Sequence, residues 1–426
     1  MESMIEGIPD GWQLAALGHI AQVERGKFTH RPRNDPRFYG GAIPFVQTGD
    51  VAKSQGRIRT YSQTLNELGL SVSKTFPAGV ILITIAANIG FTGILEFESA
   101  CPDSLVGITP RDDVDVGFLH FYLVTQQPEM DRLAPKGTQK NINIQFLRPW
   151  PVPLPPLAEQ RQIAGVLGVV QRAMEQQERL LALTAELKQT LLHQLFTAGL
   201  RGEPQKQTDL GLIPESWEVV SIGRTGKVVT GSTPSTKRPE FYGGDYNLIS
   251  PADLDAGKYI TSAHRKLTQA GFAECRALPT NAVVVGCIGN IGKIGLTADD
   301  KCATNQQINA IICGKDFNPH FVYYSLQFYR PRLERAAAKV TLPILNKSNF
   351  ESFQIAAPKK PVQDEIADVV CILDDKTEIL SRKKRTLEDL FRTLLHQLMT
   401  AQLRVHDLDV EGLLEQAVPE RQADSP

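Results

Sequence analysis

The chain has 426 residues, a formal net charge of -1, a hydrophobic fraction of 42% and a charged fraction of 22%. That is too long for one ordinary core, so about two to four globular domains are expected. The near-zero charge argues against a uniformly basic coat but leaves room for local basic patches. The six cysteines (Cys101, Cys275, Cys287, Cys302, Cys313, Cys371) contain no Cys-x-x-Cys pair and read as reduced thiols in mostly apolar surroundings, with no disulfide or metal role. Residues 1–12 carry Glu2, Glu6 and Asp10 and do not resemble a signal peptide, and no run reaches the ~18 apolar residues of a membrane span. A cytoplasmic protein is the expectation.

In chain order, the first ~150 residues look mixed. Residues 80–83 read as a short buried strand followed by a glycine turn, and residues 118–126 as a short amphipathic helix. The proline-rich stretch 149–156 should be a boundary, since proline removes a donor and fixes φ. A long helix follows with the seam Ile163, Leu167, Val170, Met174, Gln177, Leu181, Thr184, Lys188, Leu191 and Leu195. Residues 283–285 and 308–312 then read as strands and 321–330 as a helix. Residues 358–361 mark a second boundary, and a second long helix carries Ile366, Val370, Leu373, Thr377, Leu380, Lys384, Leu387, Phe391, Leu394 and Leu398. Both seams alternate four and three residues, the heptad pattern of helices packed side by side. Their polar interruptions weaken packing but can fix register.

The second half repeats the first at an offset of about 203 residues. Leu191-Leu192-His193-Gln194-Leu195 returns as Leu394-Leu395-His396-Gln397-Leu398, Phe38-Tyr39-Gly40-Gly41 as Phe241-Tyr242-Gly243-Gly244, and Gln160 as Gln363. So long a period means a duplicated domain pair, not a solenoid. A helix of ~40 residues spans roughly 60 Å, and two in one chain most simply pack antiparallel with a domain at each end. The fold class expected is α+β, with an internal pseudo-two-fold.

Catalytic patterns are missing. There is no Asp/Asn-Pro-Pro-Tyr/Phe loop, P-loop, dinucleotide-binding glycine turn, His-Glu-x-x-His or nuclease-like carboxylate cluster. A chain this large without a catalytic constellation reads as a binding subunit. Arg25, Lys27, His30, Arg31, Arg33, Arg37, Lys53, Arg57 and Arg59 crowd the early first half, where cations would neutralise phosphates. Asn34, Tyr39, Gln47 and Thr48 lie among them, and amides can pair with base edges. Ser232, Thr233, Ser235, Lys237, Arg238 and Tyr242 hold the same place in the second half. Asn88 with Gly90, and Asn290 with Gly292 and Lys293, form turns able to approach a phosphate. Lys136 and Lys140 lie in a polar, basic stretch. Ordinary solvated loops and tight hairpin turns are the competing readings of these segments.

The boundary Leu154-Pro155-Pro156-Leu157-Ala158-Glu159-Gln160-Arg161-Gln162-Ile163, the Ile-Pro-x-x-Trp opening of each half and the Ile-Gly-Lys-x-Gly turn of the second resemble the specificity subunit of type I restriction-modification enzymes. The second boundary keeps Gln363 but lacks the preceding glutamate, and the first half reads Ile89-Gly90-Phe91 without the lysine. The resemblance implies target-recognition domains over 1–156 and 201–360, spacer helices over 157–200 and 361–403, and a tail over 404–426. It implies a bipartite double-stranded DNA target and a coiled-coil spacer that fixes the gap. It also implies two modification subunits that bind S-adenosylmethionine and methylate adenine, and restriction subunits that can join them; this chain would hold no cofactor and catalyse nothing. The rivals are a coiled-coil scaffold that does not touch DNA and an enzyme with an unrecognised site.

Overall fold

The computed structural model describes residues 10–86, 88–135, 140–255, 257–289, 291–337 and 343–408. The chain divides into two units, Met1–Glu178 with Lys383–Pro426, and Arg179–Arg382.

Each unit holds a five-stranded sheet of one topology. In the first unit the order is Ala21–Arg25, Leu105–Pro110, Ile81–Thr84, Thr92–Leu95, Arg57–Ile58. In the second it is Gly226–Thr230, Ile308–Cys313, Val283–Gly286, Ile294–Thr297, Tyr259–Ile260. The short last strand joins parallel in both. The central strands Ile81–Thr84 and Val283–Gly286 are buried at every residue, which is why they read as unbroken apolar runs.

A second sheet carries the polar loops. It runs Gln63–Leu65, Tyr39–Phe45, Ser99–Cys101, Lys74–Phe76 in the first unit and Arg265–Leu267, Tyr242–Ile249, Cys302–Thr304 in the second. Gly26 and Gly231 stand where the chain leaves the first sheet for these loops. A Cβ there would lie 2.2 Å from the Pro102 carbonyl oxygen and 2.1 Å from that of Asn305, so only glycine permits the approach.

The proline boundary is itself a strand. Pro151–Leu154 pairs antiparallel with Gln13–Ala16, as Gln354–Ala357 does with Glu218–Ser221. The expectation that these prolines lie outside any element is therefore corrected. The sheet has only two strands, so Pro151 and Pro153 can lack an N–H without breaking a ladder on both sides. Likewise Pro361 falls in the first turn of the second long helix, where its missing donor is an orphan in any case. The helix expected over 118–126 runs Val116–Leu133, through Pro128. Its counterpart is broken into Pro319–Phe328 and Arg330–Ala337.

The long helices are Leu157–Ala198, 42 residues, and Lys360–Met399, 40 residues. Each begins in one unit and ends in the other. In the first unit Ile163 and Leu167 share a core with Leu398 and Met399, and Leu394 packs against it. In the second, Leu195 and Phe196 share a core with Ile366, Ala367 and Val370, and Leu191 packs against it. Within each unit the helix segments thus run antiparallel. Val170 and Leu380 are also buried, while Leu373 and Leu387 are half-buried. Each fully buried Leu or Ile contributes about 1.5–3 kcal/mol. Thr184, Thr377, Lys188 and Lys384 are satisfied locally or across the pair, whereas the buried Gln177 Oε1 has no hydrogen-bond partner among the described residues. Thr184 and Thr377 hydroxyls donate to the Leu180 and Leu373 carbonyls of their own helix. Lys188 pairs with Asp374 at 2.5 Å, and Lys384 with Glu178 at 2.6 Å.

One buried glutamine ties each long helix to its domain. Gln160 Oε1 accepts the Asp115 N–H at 2.8 Å, and its amide donates to the Pro155 and Asp113 carbonyls. Gln363 does the same with the Asn318 N–H at 3.0 Å and the Pro358 and Asp316 carbonyls. Asp115 and Asn318 are in turn the N-caps of the helices they begin. The glutamate present only at the first boundary also finds its reason. Glu159 takes a bidentate pair from Arg404, at 2.9 and 3.1 Å, whereas Arg201, the repeat partner of Arg404, only approaches Glu365 at 3.8 Å.

Candidate nucleic-acid interface

In the first unit, the loop after Gly26 folds over an aromatic floor of Phe28, Phe38 and Phe45. A cleft of about 570 Å³ opens there, lined by Phe28, Arg33, Asn34, Tyr39, Gln47 and Gln63 among others. The tyrosines expected to touch DNA clamp the loop through their hydroxyls. The Tyr39 hydroxyl donates to the Arg33 carbonyl, and the Tyr242 hydroxyl to the Pro234 carbonyl at 2.7 Å.

The loop cations are exposed but not isolated. Arg31 and Arg33 both pair with Asp103, and Arg31 also donates to the Phe28 carbonyl at 2.6 Å. Arg37 pairs with Asp35 at 2.7 Å; its hydrogen bonds hold the Asp35 carboxyl well below the usual carboxylate range. Arg57 pairs with Glu96 at 2.5 Å, while Lys53 is exposed with no ion pair among the described residues. Such carboxylates preset the guanidinium planes and can be exchanged for phosphate oxygens. Gln47 caps the helix Thr48–Lys53, where Asp50 accepts its N–H at 2.8 Å, and its Nε2 donates to Gln63 Oε1 at 3.1 Å.

The second unit presents the same loop with milder chemistry. The Thr233 hydroxyl donates to Gln306 at 2.7 Å, the Ser232 N–H to the Thr304 carbonyl, and the Arg238 N–H to the Ser235 carbonyl. The Arg238 guanidinium lies 4.1 Å from the Phe241 ring centre and reaches Glu240 at 2.8 Å. Lys237 is exposed.

The turn residues form a separate group. The Thr84 hydroxyl donates to the Asn88 carbonyl, and Gln127, on helix Val116–Leu133, donates to the Ile89 carbonyl at 2.9 Å. Lys140 pairs with Asp131 of that helix at 2.7 Å, and Lys293 pairs with Asp255. Lys136 and Asn290 lie outside the described residues. Asp103, which organises two arginines from about 70 residues away, was not singled out from the sequence; nothing local marks it.

An α+β domain present twice, with a guanidinium- or hydroxyl-bearing loop at the same place in each copy, is the build of a duplicated recognition protein. The type I restriction modification DNA specificity domain matches residues 9–185 and again 214–389, and the chain belongs to that family. It is 32% identical over 201 residues to the type I restriction enzyme MjaIX specificity subunit of Methanocaldococcus jannaschii, a match spanning 46% of each chain. With the putative type I restriction enzyme MjaX specificity subunit of the same organism it shares 22% identity over 423 residues, 93% of this chain and 95% of the relative. The S subunit of a type-I restriction-modification system from M. genitalium has the same fold, with a TM-score of 0.63 over 92% of this chain and 96% of the other at 17% identity. Among the described residues no helix is long and apolar enough to cross a membrane.

Proposed function

We propose that this chain is the DNA-recognition subunit of a type I restriction-modification enzyme, and that each unit reads one part of a bipartite duplex target. The reading is carried by the specificity-domain match in both halves, which coincides with the doubled sheets and loops. It favours a DNA reader over a scaffold that does not touch DNA. Catalysis belongs to partners: two modification subunits that bind S-adenosylmethionine and methylate adenine, and restriction subunits that join them.

A seat for such partners lies on the long helices of the second unit. Leu180, Leu183 and Leu187 are exposed at three- and four-residue spacing on one helix, and Val369, Ile372 and Ile379 on the other, the last two 65% and 64% exposed. Apolar stripes of this kind mark interaction surfaces. The helices set the gap between half-sites. Removing one heptad from each shortens them by about 10 Å, about three base pairs at 3.4 Å each.

Mobility shift of the chain with its modification partner tests the reading: sequence-specific retention supports it, and equal retention of all duplexes overturns it. An unchanged gap after heptad deletion would remove the spacer role. Replacing Arg31, Arg33 and Arg37 together with Ala is expected to weaken binding to all sequences and to lower the salt slope by about 0.9 for each phosphate no longer neutralised.

A further inference from the structure

The second sheet places one exposed residue at the same register in each unit. Gln63 opens the edge strand Gln63–Leu65 opposite Phe45, and Arg265 opens the edge strand Arg265–Leu267 opposite Leu248. The residue just before each is tethered to the equivalent aspartate of its own unit, which also accepts the N–H three residues earlier: the Ser62 hydroxyl to Asp50 at 3.0 Å, the His264 N–H to Asp253 at 2.8 Å. The backbone therefore presents the two positions alike, and only the side chain differs.

Arg265 differs from the other arginines of these loops. Arg31, Arg33, Arg37, Arg57 and Arg238 each hold a carboxylate. The Arg265 guanidinium has no carboxylate or hydrogen-bond partner among the described residues. It rests 4.9 Å from the ring centre of Tyr242, itself pinned through its hydroxyl to Pro234. Stacking restrains the side chain in advance and leaves its donor fork open. Gln63 is also oriented, because its Oε1 accepts from Gln47 Nε2; its own amide N–H groups and one oxygen lone pair are free among the described residues. In the major groove a guanidinium fork matches guanine O6 and N7, and a primary amide matches adenine N6 and N7.

Resting on the function proposed above, we infer that this edge-strand position reads a base, with Arg265 selecting guanine in one half-site and Gln63 selecting adenine in the other.

The test uses the full chain with its modification partner, mapping methylated sites in cells and measuring duplex affinity in vitro. Arg265→Gln is expected to change one guanine of one half-site to adenine and leave the other half-site untouched. Gln63→Arg should do the reverse in the other half-site. Arg265→Lys keeps the charge but loses the fork, so discrimination at that base should fall about tenfold to a hundredfold while the salt slope stays. Variants that read the unchanged motif, or that weaken all sequences equally as a phosphate contact would, overturn the inference alone. A native complex without any bipartite motif overturns the function reading as well.

Discussion

The two units fill the same space beside their long helices with opposite chemistry. In the first, Phe121 and Phe391 meet at 5.9 Å beside a cavity of about 430 Å³, and burial pushes the nearby His120 down to about 4. In the second, Tyr324 stands in place of Phe121, Lys188 in place of Phe391, Asp374 in place of Gln171 and Cys371 in place of Gly168. Lys258 stands in place of Gly56, each carbonyl accepting from the matching strand. Lys188 and Lys258 reach Asp374 at 2.5 and 3.5 Å, the Tyr324 hydroxyl donates to it, and Lys258 lies 3.0 Å from the Cys371 sulfur. A half-buried ammonium needs a counter-charge, so these positions can differ only as a set. The glutamine ties of Gln160 and Gln363 bind backbone groups, which no side-chain change alters, and they are the same in both units.

The largest effect expected from breaking this contrast is at Asp374. Asp374→Ala leaves Lys188 and Lys258 facing each other and should cost the second unit about 3 kcal/mol. Gln171→Ala, at the matching place, should cost the first unit under about 1 kcal/mol. Hydrogen exchange resolved by peptide reads each unit separately, and equal losses would dissolve the distinction. Gln160→Ala and Gln363→Ala should each cost their own unit about 2–3 kcal/mol, since each orphans a buried N–H; a marked inequality would mean the ties are not equivalent. Arg404→Ala should cost about 1–2 kcal/mol through loss of the bidentate pair with Glu159, and Arg201→Ala under about 0.5 kcal/mol. A double-mutant cycle with Glu159 and Glu365 measures both.

The smallest effect is one of pH. Burial raises the Cys371 thiol, but polar contacts with His320, Tyr324 and Lys258 outweigh it and bring the group down to about 7. Burial pushes Cys287 and Cys302 up to about 11 and Cys313 to about 12. Iodoacetamide at pH 8 should therefore label Cys371 first, with a rate that rises through pH 7. Mass spectrometry showing another cysteine leading would refute the contrast. Because this folded-state value is depressed, the thiolate's stabilising contribution is complete above the ordinary thiol value of 9.0 and fades as pH falls through about 7. Cys371→Ser should remove that slope.

Much of the architecture was legible because it rests on periodic or repeated signals. The heptad seams gave both long helices, and the constant offset gave two units of one fold. Local partners were harder. Pro151 and Pro153 hid a strand because a proline's tolerance depends on whether the strand has a neighbour on both sides. Arg31 and Arg33 read as free cations because Asp103 is distant in sequence. Tyr39 and Tyr242 read only as DNA-binding residues, and nothing local showed that their hydroxyls also close the loops. Gln63 and Arg265 lay outside the basic cluster, and only strand register aligns them. Cys371 was grouped with apolar thiols, although its polar neighbours come from two distant segments, Lys258 on one and His320 and Tyr324 on the helix Pro319–Phe328.

The division of the chain also dictates an order of manufacture. Residues 179–382 are contiguous, so the second unit has all its parts once they have left the ribosome. The first unit must wait, because Leu398, Met399 and Val405, which complete its core around Leu167 and Phe118, are translated more than 200 residues later. Until then a greasy flank stays uncovered, as in any fold that depends on distant pairing. A ribosome stalling near residue 382 would release a product whose oldest portion is unsealed and open to proteases.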